Sequence, residues 1–347
     1  MSYLLYLGVI FFASVLLSAA IKSVALRIEL LAIPVARSAH NKPTPVGGGL
    51  AISLLSLMGL SYCYGLGLIE QAQFFAMFTL LAIAVVGIAD DIWQLAIKWR
   101  LGVQLLASVV ALTLLGGMTD IDFTLFTLVN PWLLNLLGLL ALIWLVNLYN
   151  FMDGIDGLAG LEACFVSALA CYFGWIAGDG VLILMSLTLF AACLGFLVWN
   201  WSPAQLFMGD VGSGFIGLYL GIMAIVSMQN SSMTVWTWLL LLGIFHMDAS
   251  ITLLRRFANG EKWYQGHSSH AYQHAARSLA SHRKVCIIVL IINCLWLTPL
   301  AWLTVEESRY GVFWTLLGLL PLVFIALKLN AGKVQNIASS DSNALNS

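Results

Sequence analysis

Charge is what this chain has least of. Only 9% of its 347 residues are Asp, Glu, Lys or Arg, while 61% are hydrophobic; a soluble globular protein carries about 25% charged residues. A soluble domain needs a solvated skin, so a water-soluble enzyme is excluded, and so is a disordered chain. Fifteen basic side chains against sixteen acidic ones leave a net charge of −1. That excludes the basic surface a nucleic-acid partner requires. Paired C-x-x-C spacing is missing too. The six cysteines, at 63, 164, 171, 193, 286 and 294, all lie inside apolar runs. They read as small hydrophobes of membrane helices, not as disulfides or a metal site. No linker, low-complexity block or internal repeat divides the chain. Residues 1–330 therefore read as one domain, and the small, polar stretch 331–347 as a disordered tail.

Apolar runs are plentiful. A helix needs about 20 apolar residues to cross roughly 30 Å of hydrocarbon. Eleven candidate runs qualify: 3–24, 48–66, 72–89, 100–117, 131–149, 160–177, 181–199, 213–229, 234–252, 285–304 and 311–329. The expectation is an all-α, polytopic integral membrane protein of eleven transmembrane helices. The first run is too long, and too poor in flanking basic residues, to be a cleaved signal peptide. With the N-terminus outside, fourteen of the fifteen basic residues fall on or beside the inner face; only Arg309 falls outside. This positive-inside bias predicts the N-terminus outside and the C-terminus cytoplasmic.

The acidic residues divide by side as well. Glu70, Asp120, Asp122, Asp179, Glu306 and Glu307 occupy short outer loops. Asp90, Asp91, Asp153, Asp156, Asp210 and Asp248 stand at the inner ends of helices, against apolar runs. Carboxylates there are costly unless paired, hydrated or metal-bound, so their convergence predicts one cytoplasmic site.

Five inner segments carry the chemistry. In Arg37-Ser-Ala-His-Asn-Lys42-Pro-Thr-Pro-Val-Gly-Gly-Gly49 the prolines forbid a continuous helix. Backbone N–H groups at the start of the next helix, beside Lys42 and Arg37, suit a phosphate. Close helix packing explains the same glycines. Asp90-Asp91 ends the third run; one carboxylate can orient a cation while the other accepts a proton, or the pair can bind Lys98 or Arg100. Asn147, Asn150, Asp153 and Asp156 recur at spacing three, which on helical turns lines them along one side. They supply the mixed donors and acceptors a base or sugar edge requires; an Asx-rich turn is the alternative. Asp210, in Phe207-Met-Gly-Asp210-Val-Gly-Ser-Gly, precedes the eighth run, where capping and ion binding both suit a carboxylate. Finally His267, His270 and His274 are spaced as one helical face. Zinc is a possible reading, but no cysteine or nearby carboxylate joins them, and hydrogen bonding to phosphate suits them better.

Taken together, H-N-K-P-T-P-V-G-G-G, the Asp90-Asp91 pair, N-x-x-N-F-M-D-G-I-D-G-L, F-M-G-D-V-G-S-G and H-S-S-H closely resemble the polyprenyl-phosphate N-acetylhexosamine-1-phosphate transferases, glycosyltransferase family 4. That family includes the initiating transferases of O-antigen synthesis and the phospho-MurNAc-pentapeptide translocase. The resemblance implies an inner-membrane enzyme that joins a sugar-1-phosphate from a UDP-sugar, GlcNAc or a 6-deoxy sugar such as FucNAc, to undecaprenyl phosphate. UMP is released, and Mg²⁺ or Mn²⁺ is required; a homodimer is compatible. Carried over by residue, it makes Asp210 the metal ligand and places Asp90 and Asp91 at the metal and the lipid phosphate, as catalytic groups. It sets Lys42 near phosphate, Asn147, Asn150, Asp153 and Asp156 in the nucleotide-sugar pocket, and His267 and His270 on the pyrophosphate and sugar side. The sequence departs from many relatives at Ile92-Trp93-Gln94, where a third acidic or a basic residue is usual. Two other readings compete: a CDP-alcohol-type phosphotransferase, and a cation- or proton-coupled transporter with its carboxylates at the bilayer midplane.

Overall fold

Hydrocarbon offers backbone N–H and C=O groups no partner but each other, so uncharged apolar runs become helices. A computed structural model describes residues 2–34, 42–261 and 267–333. Arg37, His40, Lys262 and the tail beyond Lys333 lie outside them. The described chain is almost wholly helical. In order come α1 (Tyr3–Arg27), α2 (Gly49–Gly65), α3 (Gln71–Phe78), α4 (Leu80–Trp93), α5 (Ile97–Leu114), α6 (Pro131–Met152), α7 (Leu158–Ala177) and α8 (Gly180–Asn200). They are followed by α9 (Asp210–Gln229), α10 (Val235–Leu241), α11 (Gly243–Ala258), α12 (Ala271–Leu279), α13 (His282–Ile292), α14 (Thr298–Glu306) and α15 (Gly311–Lys328). Two short antiparallel pairs complete the list: β1 (Leu31–Ala32) with β2 (Thr44–Pro45), and β3 (Ile121–Asp122) with β4 (Thr127–Leu128).

All eleven expected runs fall on helices, but their number as spans changes. Among the described residues nine helices are long and apolar enough to cross a membrane, or ten if one bent pair counts as a single span. Two runs account for the difference. The 48–66 run is the 17-residue α2, a shorter apolar helix. The 234–252 run, expected as one straight span, is α10 and α11 meeting at 78° across Leu242.

Helix α9 is the axis of the bundle, with 89% of its apolar window buried. It packs on α6, α4 and α2, while α8 packs on α7, α1 and α2, and α11 on α15. Small residues make this approach possible. A Cβ on Gly49 would collide with the Gly212 Cα, and one on Gly212 would stand 2.7 Å from the Gly49 Cα. Packing is therefore what the P-V-G-G-G segment serves. Its amides are not available to phosphate: the Gly48 and Gly49 N–H groups donate to the Phe207 and Met208 carbonyls, both at 2.9 Å, and Phe207 N–H donates back to the Pro45 carbonyl at 2.8 Å. The glycine loop and the F-M-G-D loop are zipped together, which fixes the start of α9.

Candidate active site

Helix ends meet at one end of the bundle: the C-termini of α4, α6 and α8 and the N-termini of α5, α9, α12 and α13. Between them lies a cavity of about 1170 Å³. Asp91, Asn147, Asn150, Asp153, Asp156, Asp210, His267 and His270 all line it, so eight of the ten residues singled out by sequence come together. Two do not. Lys42 is exposed and absent from the lining. Asp90 turns away into a narrow void behind the cavity, shared with Gln104 and Gly214.

The carboxylates at α9 divide the work between them. Asp210 is the first residue of α9, where the helix macrodipole favours negative charge. Asp91 reaches across from α4 and caps the same helix from outside, accepting from the Asp210 N–H at 2.9 Å and the Val211 N–H at 3.4 Å. Adjacent helical residues diverge by about 100°, so Asp90 faces the other way. It accepts from Arg100 Nη1 at 2.6 Å, the pairing the sequence left open. The same nitrogen stands 3.3 Å from Asp210 Oδ2. Arg100 sits in the first turn of α5, where a cation opposes the macrodipole; its two carboxylate partners are what stabilise it there. The sequence offered Arg100 only as a structural partner of the acidic pair, not as a group of the cavity. An arginine opening a helix ten residues after an acidic pair is the signal that was present. Gln94, at φ +50, closes α4 through its N–H to the Asp90 carbonyl at 2.8 Å.

The N-x-x-N-F-M-D-G-I-D-G segment is part helix, part turn. Helix α6 stops at Met152, so Asn147 and Asn150 share its face while Asp153 caps its end and Asp156 lies in the turn beyond. The four groups still reach one cavity, by a bend and not along one helix. Asn150 donates to Asp210 Oδ1 at 2.7 Å, and Asn147 to Gln104 Oε1 at 2.9 Å. Burial, reinforced by the charges of Asp210, Asp91 and Asp156, pushes the Asp153 carboxyl well above its ordinary range. Asp156 goes the other way. Burial alone would raise it, but hydrogen bonds from His282 and the Ala204 N–H outweigh that and hold it below the usual carboxylate range. His282 Nδ1 lies 3.2 Å from Asp156 Oδ2; this pairing across more than a hundred residues had no sequence signal.

The histidines do not form one helical face. Residues 267–269 are non-helical, His270 is the N-cap of α12, and only His274 lies within that helix. The buried Asp248 organises the turn, accepting from the Ala271 and Tyr272 N–H groups, each at 2.8 Å, with His270 Nδ1 at 3.2 Å. The His267 and His270 rings stack with centroids 4.9 Å apart. His274 turns away from the cavity to the Lys333 carbonyl.

Among the described residues no group of three or more His, Cys, Asp or Glu side chains forms a ready metal cage. The donor chemistry nevertheless suits one ion class. Four carboxylates line the cavity, and among its described lining residues Arg100 is the only arginine or lysine. Hard oxygen donors in excess of positive charge match Mg²⁺, which is typically held by one or two carboxylates plus substrate phosphates and seldom by an all-protein cage.

Comparison with known proteins bears on the same residues. Residues 73–228 match glycosyl transferase family 4. A Bacillus subtilis protein named "Probable undecaprenyl-phosphate N-acetylglucosaminyl 1-phosphate transferase" is 28% identical over 288 residues, 79% of this chain and 77% of its own length. The phospho-N-acetylmuramoyl-pentapeptide-transferase of Desulfotalea psychrophila is 43% identical over 81 residues, 23% of this chain and 21% of that one. The enzyme of the same name from Chlamydia muridarum is 52% identical over 52 residues, 15% of each chain. The stretch that matches glycosyl transferase family 4 supplies every carboxylate lining the cavity.

Proposed function

We propose that this protein transfers a sugar-1-phosphate from a UDP-activated N-acetylhexosamine to undecaprenyl phosphate, releasing UMP and leaving an undecaprenyl-diphospho-sugar. The observation that carries this reading is the mixed lining of the cavity. Carboxylates, amides and histidines share it with apolar side chains of α5 and α6, among them Ile97, Leu101, Leu140 and Ile143. A polar nucleotide sugar and a polyprenyl chain make those two demands. The names of the relatives support the acceptor and the reaction class. The positive-inside bias supports a cytoplasmic-facing site in a bacterial inner membrane, fed with donor from the cytoplasm.

In the reaction an oxygen of the lipid phosphate attacks the phosphorus that bears the sugar. The bond from that phosphorus to the bridging oxygen breaks, and UMP departs with the electron pair. A phosphate monoester has a second pKa of about 6, so near neutral pH the nucleophile is already largely dianionic. Arg100, steadied by Asp90 and Asp210, attracts the incoming phosphates. Asp91 orients the lipid phosphate, or takes its remaining proton, at the α9 N-terminus. Asn147, Asp153 and Asp156 address the nucleotide sugar, Asn150 orients Asp210, and His267 and His270 hydrogen-bond the pyrophosphate. Asp210, with Asp91 and Asp153 near it, would hold Mg²⁺ or its substitute Mn²⁺, which when bound neutralises the pyrophosphate and the leaving UMP. Direct one-step attack needs no covalent enzyme intermediate. GlcNAc and FucNAc both fit this reading, as does a place at the first membrane step of O-antigen or other cell-envelope polysaccharide synthesis.

The test incubates purified protein with undecaprenyl phosphate, Mg²⁺ and a panel of UDP-sugars that includes UDP-GlcNAc and UDP-FucNAc. UMP release that depends on both lipid and sugar is expected. Release with no sugar in the panel overturns the proposal, and exchange of labelled UMP into donor without lipid overturns one-step attack.

A further inference from the structure

The end of the last helix is built into the support of the histidine segment. Ala331 is fully buried, packed with Ala271, Ala326, Ile251 and Leu329. Its carbonyl accepts from Arg255 Nη1 at 2.9 Å. The Gly332 N–H donates to the Ser269 carbonyl at 2.7 Å, and the Lys333 carbonyl stands 3.1 Å from Nε2 of buried His274. Ser269 is the residue directly before His270 and two after His267. Its hydroxyl is held as well, 3.1 Å from His267 Nδ1 and 3.4 Å from Arg256 Nη1. Gly332 takes φ +79, and a Cβ there would come within 2.7 Å of the Arg255 Cβ and 2.9 Å of the Thr252 carbonyl oxygen. Conformation and space together require glycine at this position.

We propose that Ala331-Gly332-Lys333 is a positioning clasp that fixes the His267–His270 peptide and thereby sets where the two histidine rings stand in the cavity wall. Residues 267–269 belong to no helix or strand and have no ladder of their own. Asp248 ties the peptide at its helical end, through Ala271 and Tyr272; the clasp ties it at Ser269. Residues 331–333 do not line the cavity, so they act on substrate only through the histidines. A segment released from the clasp must be ordered again on binding, at a cost in donor affinity. The proposal rests on His267 and His270 contacting the donor.

The experiment compares the full chain with Gly332→Ala, a chain ending at Asn330 and a chain ending at Asn336. Hydrogen–deuterium exchange over 267–274 reads the clasp without reference to activity, and donor KM and kcat are measured by UMP release. The chain ending at Asn330 and Gly332→Ala should raise exchange in 267–274 but not in α9. Donor KM should rise about five- to tenfold, the worth of one such hydrogen bond, with kcat changed less than about twofold. The chain ending at Asn336 should match the full chain in both readouts. Unchanged exchange in 267–274 overturns the clasp. So does an increase in exchange that spreads to α9 with KM and kcat lost together, since that marks general unfolding. If the full chain releases no UMP from any donor, the functional reading fails, and the exchange data still decide the clasp.

Discussion

Replacing Asp91 separates two roles that its geometry combines. Its oxygens cap α9 through the Asp210 and Val211 N–H groups, and the same carboxylate lines the cavity. Asp91→Ala removes the acceptor and the charge together. Loss of a helix cap costs about 1 kcal/mol, and loss of a favourable charge at a helix N-terminus about 0.3–1 kcal/mol. Asp91→Asn keeps one carbonyl oxygen for the Asp210 N–H and loses the charge and the longer 3.4 Å bond from the Val211 N–H, so it should cost about 1 kcal/mol. At roughly 2 °C per kcal/mol for a protein of this size, the asparagine variant should stay within about 2 °C of wild type in detergent, and the alanine variant fall further. Activity should not follow stability. A carboxylate that orients or deprotonates the nucleophile is worth about 10²–10⁴-fold in rate, so UMP release by Asp91→Asn should collapse although its fold is intact. Tryptophan-fluorescence melting and UMP release on the same samples make the test. Asn and Ala variants that are equally destabilised would refute the cap. An Asn variant with near-wild-type turnover would refute the catalytic assignment.

Three further outcomes follow from the same geometry. Gly49→Ala drives a methyl group onto the α9 backbone at Gly212 and should destabilise by about 1–3 kcal/mol or more, as overpacking does; Gly8→Ala, with nothing within 4 Å of its Cβ, should leave the melting temperature unchanged. Arg100→Met strands the buried Asp90 carboxylate, costing about 1–3 kcal/mol; adding Asp90→Asn should recover much of the stability in a melting assay and none of the UMP release. The Asp156–His282 pair sets an acid limit. Because the Asp156 carboxyl titrates below its ordinary range, the stability it contributes is complete above the unfolded pKa of about 3.9 and is lost as pH falls through the folded one. His282→Ala should therefore flatten the decline in melting temperature below about pH 4, and an unaltered acid slope would count against the pair.

How much of this was legible in the sequence depends on the range of the interaction. Apolar length alone placed every helix except the short, polar α12, because membrane helices satisfy their own backbone locally. The two runs that departed, the 17-residue α2 and the α10–α11 pair bent at Leu242, are helical as expected but are not straight, full-length spans. Asp210 at the start of α9 was readable from its local glycines and from the apolar run that follows it. The opposed directions of Asp90 and Asp91 followed from helical geometry, yet their partners did not, since Arg100 and the α9 amides reach them through the fold. The histidines show the limit most clearly. Their spacing of three and four suggested one helix face, but Asp248 captures the Ala271 and Tyr272 amides and starts the helix only after His270.

The sequence by itself determined that this is a polytopic membrane protein, and that six of its scarce carboxylates gather at one end of its helices. Hydrocarbon makes charge costly wherever it has no purpose, so position along an apolar run is already information. Only the tertiary structure decided which carboxylate caps, which pairs with Arg100 and which faces the cavity. It alone returned residues 331–333 from an apparent tail to the support of the histidine segment. Those choices depend on contacts between helices far apart in the chain, where distances of about 3 Å are set by packing and leave no trace in local pattern.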